Sequence, residues 1–288
     1  MGTDARERVG ILGREDEAAL QALAERVGWQ FTRDQTSLFL NGLGRVRGVW
    51  CDGVLIASAG LYLYDGRIAS LGNVMVNPQF RRQGLATRLV IECLAEAKAA
   101  GAPVLLVATP MGEPLYRKLG FQTIGYVHRL EFDPADTPAA GSSLSNDVRP
   151  LQPGDLEEIV RLDERAFGAC RRTVYETLSA LRTPGWGYRD TDGALLGFTF
   201  AIRKPSALCL GPVVARDVSI ALALVRRVSS DWTGPVRVDV PHEQTAFRCR
   251  LTAGGFRERM TSPVMSIGTD RLPGERPTLF ALLDPAMG

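Results

Sequence analysis

The chain reads as a mixed α/β protein made of two similar domains in tandem. Three observations lead there. A length of 288 residues is long for one compact domain and comfortable for two. The stretch from Leu71 to Val90 has the pattern of a buried strand, a sharp basic loop and the start of an amphipathic helix. The order of strands and helices in the first half then returns, in weaker form, after a segment at 133–146 rich in Pro, Ala, Gly and Ser. The predicted units are a first domain over 1–135, a second over 147–270 and a tail over 271–288.

In the first half, Val9 to Leu12 fits a short strand. Leu20, Leu23, Ala24 and Val27 share one face of a helix over Glu15 to Val27, whose first turn is acidic. A less regular helix fits within Trp29 to Leu40, before Gly42 and Gly44 break it. Val46 to Cys51 and Val54 to Leu63 form a hairpin about Asp52-Gly53, a pair that accepts positive φ. Asp65-Gly66 turns the chain into Ile68 and the strand ending at Val74, Met75 and Val76, where Pro78 stops the pairing. From Leu85 the apolar residues Leu85, Ala86, Leu89, Val90, Cys93, Leu94 and Ala97 line one helix face. Gly101-Ala-Pro103 ends that helix, and Val104 to Ala108 is a buried strand. Phe121 to Phe132 closes the first unit with one or two strands, and His128 within it reads as a structural residue.

The loop between strand and helix carries chemistry. In Arg81-Arg-Gln-Gly-Leu-Ala86, Gly84 removes a Cβ where the backbone turns into the helix, leaving N–H groups free to face an anion. Arg81, Arg82 and Arg88 add positive charge at an end already made positive by the helix dipole. That is a phosphate-binding loop, but no Gly-Lys-Ser/Thr follows it and it lacks the Gly-x-Gly-x-x-Gly turn.

The loop resembles the Arg/Gln-x-x-Gly-x-Gly/Ala signature of the GNAT N-acetyltransferase superfamily. Leu115-Tyr-Arg-Lys-Leu-Gly-Phe121 resembles that superfamily's second motif, at a suitable distance. The resemblance implies a mixed, mostly antiparallel sheet flanked by helices, with acetyl-CoA as cosubstrate. It implies that the backbone of Val74, Met75 and Val76 pairs with the pantetheine arm. The pyrophosphate would then rest on Arg81, Arg82, Gln83, Gly84, Leu85, Ala86 and Thr87. Tyr116 takes the position of the acid that protonates the leaving thiolate. Many relatives carry an asparagine shortly before that tyrosine; Pro110-Met-Gly-Glu-Pro114 has none, and Thr109 is the candidate substitute. Some relatives place a glutamate on the strand before the loop, whereas Ser70, Gly72 and Asn73 offer no carboxylate. Asp52, Asp65 and Glu113 look like turn or helix-start residues, so no general base is assigned. Trp29, Phe31 and Phe39 lie in the segment that covers the acceptor side in the family.

The second half repeats the pattern without the loop. Val148 to Leu151 and a helix with Leu156, Ile159, Val160, Ala166 and Phe167 parallel Val9 to Val27. Gly193 to Ile202, Cys209 to Ala215 and Val236 to Val240 parallel the later strands, and Phe247 to Phe256 parallels Leu115 to Phe121. After Val214 the chain reads Ala215-Arg-Asp-Val-Ser-Ile220, and Asp217 would repel a pyrophosphate. Phe247 stands near the place of Tyr116, so this half reads as a degenerate copy that supports the fold and walls the acceptor cleft. Arg171, Arg172 and His242 are its polar candidates there, and the first half alone is expected to bind acetyl-CoA.

Composition bounds the rest. A formal charge of +2, with no basic run interleaved with aromatics, gives no case for nucleic acid. No apolar run is long enough to span a bilayer, and no signal peptide is evident. The five cysteines are widely spaced in apolar patterns, which fits reduced thiols in the cytoplasm, and two histidines make no metal centre. The expected protein is a cytoplasmic monomer or homodimer that transfers acetyl from acetyl-CoA to a small-molecule or peptide amine by direct attack, without a metal. A non-catalytic acetyl-CoA-binding regulator or scaffold is the rival reading.

Overall fold

A computed structural model describes residues 7–40, 42, 44–134 and 147–288. Most of the linker assigned from composition, 135–146, lies outside these residues. The first half runs β1 (Glu7–Ile11), α1 (Glu17–Arg26), α2 (Arg33–Leu40), β2 (Arg45–Cys51), β3 (Val54–Tyr64), β4 (Ile68–Val76), α3 (Leu85–Ala99), β5 (Val104–Val107), α4 (Glu113–Lys118) and β6 (Gln122–Phe132). The second runs β7 (Val148–Pro150), α5 (Leu156–Phe167), α6 (Arg172–Ala180), β8 (Gly185–Arg189), β9 (Leu195–Arg203), β10 (Leu208–Ala215), α7 (Val218–Ser230), β11 (Val236–Pro241), α8 (Thr245–Ala253), β12 (Arg257–Ile267) and β13 (Leu279–Ala281).

Local chemistry explains the turns. Asp52 and Gly53 both have positive φ (49° and 80°), as do Asp65 and Gly66 (49° and 65°), which is what tight hairpins of this hand require. The apolar stripe predicted on α3 is the one buried: Leu85, Leu89, Val90, Cys93 and Ala97 pack on the sheet with Leu61, Leu71 and Leu106. On α7 the matching stripe, Ile220, Ala221, Leu224, Val225 and Val228, packs on Val213, Val236 and Val238.

All strands join one mixed sheet in the order β1-β2-β3-β4-β5-β12-β6-β11-β10-β9-β8-β7, with β13 paired to β10 off this path. The order is symmetric about its centre, as a tandem duplication requires, but the halves are not merely side by side. β12 lies between β5 and β6, pairing antiparallel with both, and β6 in turn lies between β12 and β11. Each half has lent its last long strand to the other. The linker that separates the halves in sequence therefore does not separate them in the sheet.

The segment after β12 is anchored and not frayed. Leu279, Phe280, Leu282, Leu283 and Met287 are buried. The Leu282 N–H donates to the Asp239 carbonyl (2.9 Å), and the Met287 carbonyl accepts from the Tyr64 and Ser70 hydroxyls (2.9 and 3.2 Å). Ala286 presses so closely on Gly72 of β4 that a Cβ there would sit 2.4 Å from the Ala286 Cβ.

The central exchange bears on the expectation that the isolated first half, 1–135, binds acetyl-CoA. A fragment 1–135 would leave one edge of β5 and both edges of β6 without partners, and unpaired edges aggregate. It should be insoluble or lack a cooperative melt, whereas the full chain should melt as one unit. A monodisperse fragment with a cooperative thermal transition would contradict this.

Candidate active site

A cleft of about 900 Å³ opens along β4. It exists because β4 leaves β5 early: the two pair, in parallel, only at Ala69–Val104 and Ser70–Leu105. The cause is a bulge. The β3–β4 register moves from Gly60–Gly72 to Ser58–Met75, and Asn73 takes the left-handed conformation with φ 52°. Asparagine is the non-glycine residue that adopts this region at least cost. Its buried polar groups are answered: the side-chain amide donates to the Tyr62 hydroxyl (2.6 Å), and the carbonyl accepts from Ser58 (2.8 Å). Beyond the bulge, Met75 and Val76 pair with β3 on one side, and the strand from Val74 to Val76 turns its other edge to the cleft.

The strand leads to the N-terminus of α3. Gly84, with φ 81° and ψ 0°, is the N-cap. The first i→i−4 bond inside the helix runs from the Arg88 N–H to the Gly84 carbonyl (2.9 Å), so the Leu85, Ala86 and Thr87 amides have no acceptor within the helix. A Cβ added at Gly84 would meet nothing within 4 Å, so the space above these amides is open. Arg81 and Arg82 are exposed beside it, with the Arg81 Nε 3.4 Å from the Val76 carbonyl. These features fit an anionic, extended acyl-CoA: amides and cations for a pyrophosphate, and a free strand edge for the pantetheine amides.

Thr109 and Tyr116 face the same cleft. Tyr116 is 7% exposed and packs edge-on against Phe121. Burial, helped by nearby Cys93, pushes its phenol well above the ordinary value of 10, so it stays protonated.

Of the residues assigned from sequence, Val74, Met75, Val76, Arg81, Arg82, Gly84, Leu85, Ala86, Thr87, Thr109 and Tyr116 line the cleft; the exposed Gln83 does not. Trp29 and Phe31 line it, while Phe39 is core. Arg88 turns away to Glu7 (2.6 Å) and Glu92 (3.6 Å), so the cation predicted there is not part of the loop's cradle. Arg171, Arg172 and His242 are not cleft residues either. Arg171 is fully buried, bidentate to Asp163 (2.9 and 2.7 Å) and bonded to the Gly288 carbonyl (2.7 Å). Arg172 pairs with Glu157, and His242 stacks on His128, with Nδ1 to Nε2 at 2.9 Å. The second half contributes Lys204, Ser206, Arg237, Met260, Asp284, Pro285 and Ala286 instead.

Asp284 is the one carboxylate lining the cleft among the described residues, and the sequence did not single it out. Burial would raise its pKa, but Lys204 (3.1 Å), the Ala286 N–H (2.9 Å) and Arg237 outweigh that and hold it below the usual carboxylate range. A carboxylate held ionised in this way suits a cation better than proton abstraction. Asp52 and Asp65 sit in turns, and Glu113 is held by Arg117 (2.6 Å).

The second half carries the same bulge with a different outcome. The β9–β10 register jumps from Ala201–Leu210 to Thr199–Val213, and β10 pairs with β11 only over Leu208–Leu210. Beyond the bulge, β13 pairs with Val213 and Val214 and occupies the free edge. At the start of α7, the Asp217 carboxylate accepts from the Ser219 and Ile220 amides (2.9 and 3.0 Å). Phe247 is fully buried against Phe280 of β13.

Both halves match GNAT models: residues 14–121 match the acetyltransferase (GNAT) family and residues 159–281 an acetyltransferase (GNAT) domain. The chain belongs to the GNAT N-acetyltransferase superfamily, with two GNAT domains joined in one continuous sheet. It is 29% identical over 281 residues to the uncharacterized N-acetyltransferase YitH of Bacillus subtilis (strain 168), covering 96% of this chain and 97% of that one. A stretch of 105 residues, 36% of this chain, is 36% identical to 22% of the amino-acid acetyltransferase of Azotobacter vinelandii (strain DJ / ATCC BAA-1303). The fold is shared with a solved protein of Pyrococcus horikoshii (TM-score 0.82, 15% identity, 100% and 98% of the two chains). A tandem GNAT protein from the clavulanic acid biosynthesis pathway also shares it (TM-score 0.68, 15% identity, 91% and 98%).

If the open space at Gly84 receives a pyrophosphate, Gly84→Leu should weaken acetyl-CoA binding at least about tenfold by calorimetry, since a side chain there displaces a charged ligand group. Gly193→Leu is the control, because Gly193 also has positive φ (85°) and open space but lies outside the cleft. Equal affinity in the two variants would remove the loop assignment.

Proposed function

We propose that the first half binds one acetyl-CoA and transfers its acetyl group to a primary amine, while the second half is a GNAT domain that no longer binds the cofactor. One observation carries this: the free edge of Val74–Val76 runs directly into the open, cationic N-terminus of α3, and Tyr116 faces the same cleft. The second half keeps the bulge, but β13 and Asp217 take the equivalent strand edge and helix amides. That supports a stoichiometry of one.

In the reaction the amine nitrogen attacks the thioester carbon, forming the C–N bond, and a backbone N–H beyond the bulge stabilises the acyl oxygen. As the C–S bond breaks, the Tyr116 hydroxyl gives its proton to the sulfur, and the proton released from nitrogen passes through water to the phenolate and restores the phenol. A phenol raised by burial stays protonated and keeps its proton to give, and the sulfur it faces becomes basic only as the C–S bond breaks.

Calorimetry of the full chain should give one acetyl-CoA site; two equivalent sites would contradict the roles of β13 and Asp217. Tyr116→Phe should lower kcat about 10- to 1000-fold with little change in acetyl-CoA affinity, the range of general-acid catalysis. In the wild type, ionisation of a phenol raised above 10 should cause no loss of rate up to about pH 9. Thiol release across an amine panel reads both. Acetyl-CoA binding without release on any amine would favour the non-catalytic binding protein.

A further inference from the structure

The cleft does not end at the bulge. It continues past Ala286 and Pro285 to the junction of the two halves, where Arg129 of β6, Lys204 at the end of β9 and Arg237 of β11 line it with Asp284. Asp239, the cross-strand partner of Arg129, lies behind them. Arg237 grips Asp239 through two contacts (3.1 and 2.6 Å), and Lys204 pairs with Asp284 (3.1 Å). Arg129 is left with one long contact to the same Asp239 (3.4 Å), and its side chain, 29% exposed, is the most open of the three. The nearest further acid on β6, Glu131, is answered by Arg259 (3.5 Å).

The cluster thus holds one more cation than carboxylates, in a largely buried wall where an uncompensated charge is costly. The guanidinium with donors to spare belongs to a residue that lines the cleft. We propose that this end of the cleft is an acceptor subsite for a single carboxylate, so that the acceptor is an amino acid, with the amine directed at the thioester and the carboxylate on Arg129. The inference rests on the acetyl-transfer reading above. A planar guanidinium fork matches a carboxylate. One surplus positive charge balances a monoanion, while Asp284 and Asp239 disfavour a dianion such as a phosphate monoester. Both halves build the subsite, since Arg129 comes from β6 and Lys204, Arg237, Asp239 and Asp284 from the second half.

The test uses the full chain, acetyl-CoA, and the twenty common amino acids beside their carboxamides, which keep the amine and remove the charge. Thiol release gives kcat/KM, and calorimetry on the CoA complex gives affinity. At least one amino acid should exceed its carboxamide about 10- to 100-fold in kcat/KM, the effect of one charge-assisted contact. Arg129→Gln should abolish that preference mainly by raising KM, with acetyl-CoA affinity unchanged, and Arg129→Lys should restore part of it. Carboxamides used as well as acids, a preference that survives Arg129→Gln, or no amino acid that turns over or binds better than its carboxamide would each overturn the proposal. If neutral amines are acetylated while amino acids are not, only this subsite is wrong. If no amine of either kind releases thiol although acetyl-CoA binds, it is the transfer reaction itself that fails.

Discussion

The whole site depends on one backbone irregularity, the left-handed Asn73 in the middle of β4. Had β4 run straight, its second edge would have continued to pair with β5 and the sheet would be closed where the cleft now lies. Asn73 inserts an extra residue, turns the strand and leaves Val74–Val76 without a neighbouring strand on one side. Unpaired backbone groups this far inside a protein are costly unless something answers them. In the first half they are left facing a large cleft. In the second, an equivalent bulge at Gly211 and Pro212 is answered by β13. One geometric device thus has two outcomes within one chain.

The C-terminal segment links these outcomes. It gives β13 to the second half, then crosses to the first, where Asp284 to Ala286 wall the cleft and Met287 bonds Tyr64 and Ser70. The buried Arg171–Asp163 pair fixes the far end through the Gly288 carbonyl. A charge pair of that kind is satisfied only while its geometry holds, so it favours one position of the segment. This wall of the cleft is therefore set by packing from both halves.

Much of this was legible in the sequence where the signal is local. The α3 stripe, the Asp-Gly turns and the glycine that opens the helix N-terminus all declare themselves within a few residues, and so does the carboxylate of Asp217 where the second loop would be. What was not legible is long-range. The residues of β12 alternate in the same way whether its neighbours are β11 or β5 and β6, so the exchange leaves no mark in the pattern. Arg237 and Asp239 alternate with Val236, Val238 and Val240, a pattern that sets them on the other face of the strand without showing that this face meets a cleft. Arg171 looked available because a charged residue is usually exposed; its partners are eight residues away at Asp163 and at the far end of the chain. Asn73 was read for the carboxylate it lacks, although an asparagine inside a strand is itself a hint of positive φ.

The pairing of Val107 with Val264, and of Leu130 with Val238 and Glu258, also bears on how the chain is made. A ribosome releases β5 and β6 long before β11 and β12 exist. Until then the first half has its helices and its outer strands but a gap at its centre, and the cleft lacks the wall that the second half supplies. Nothing built from the first half alone can be complete during synthesis, so the nascent chain must hold an open sheet until its last strands emerge. Such a chain completes the walls of the cleft only once its last strands and C-terminal segment are made, and its exposed middle strands are where a chaperone would have most to cover.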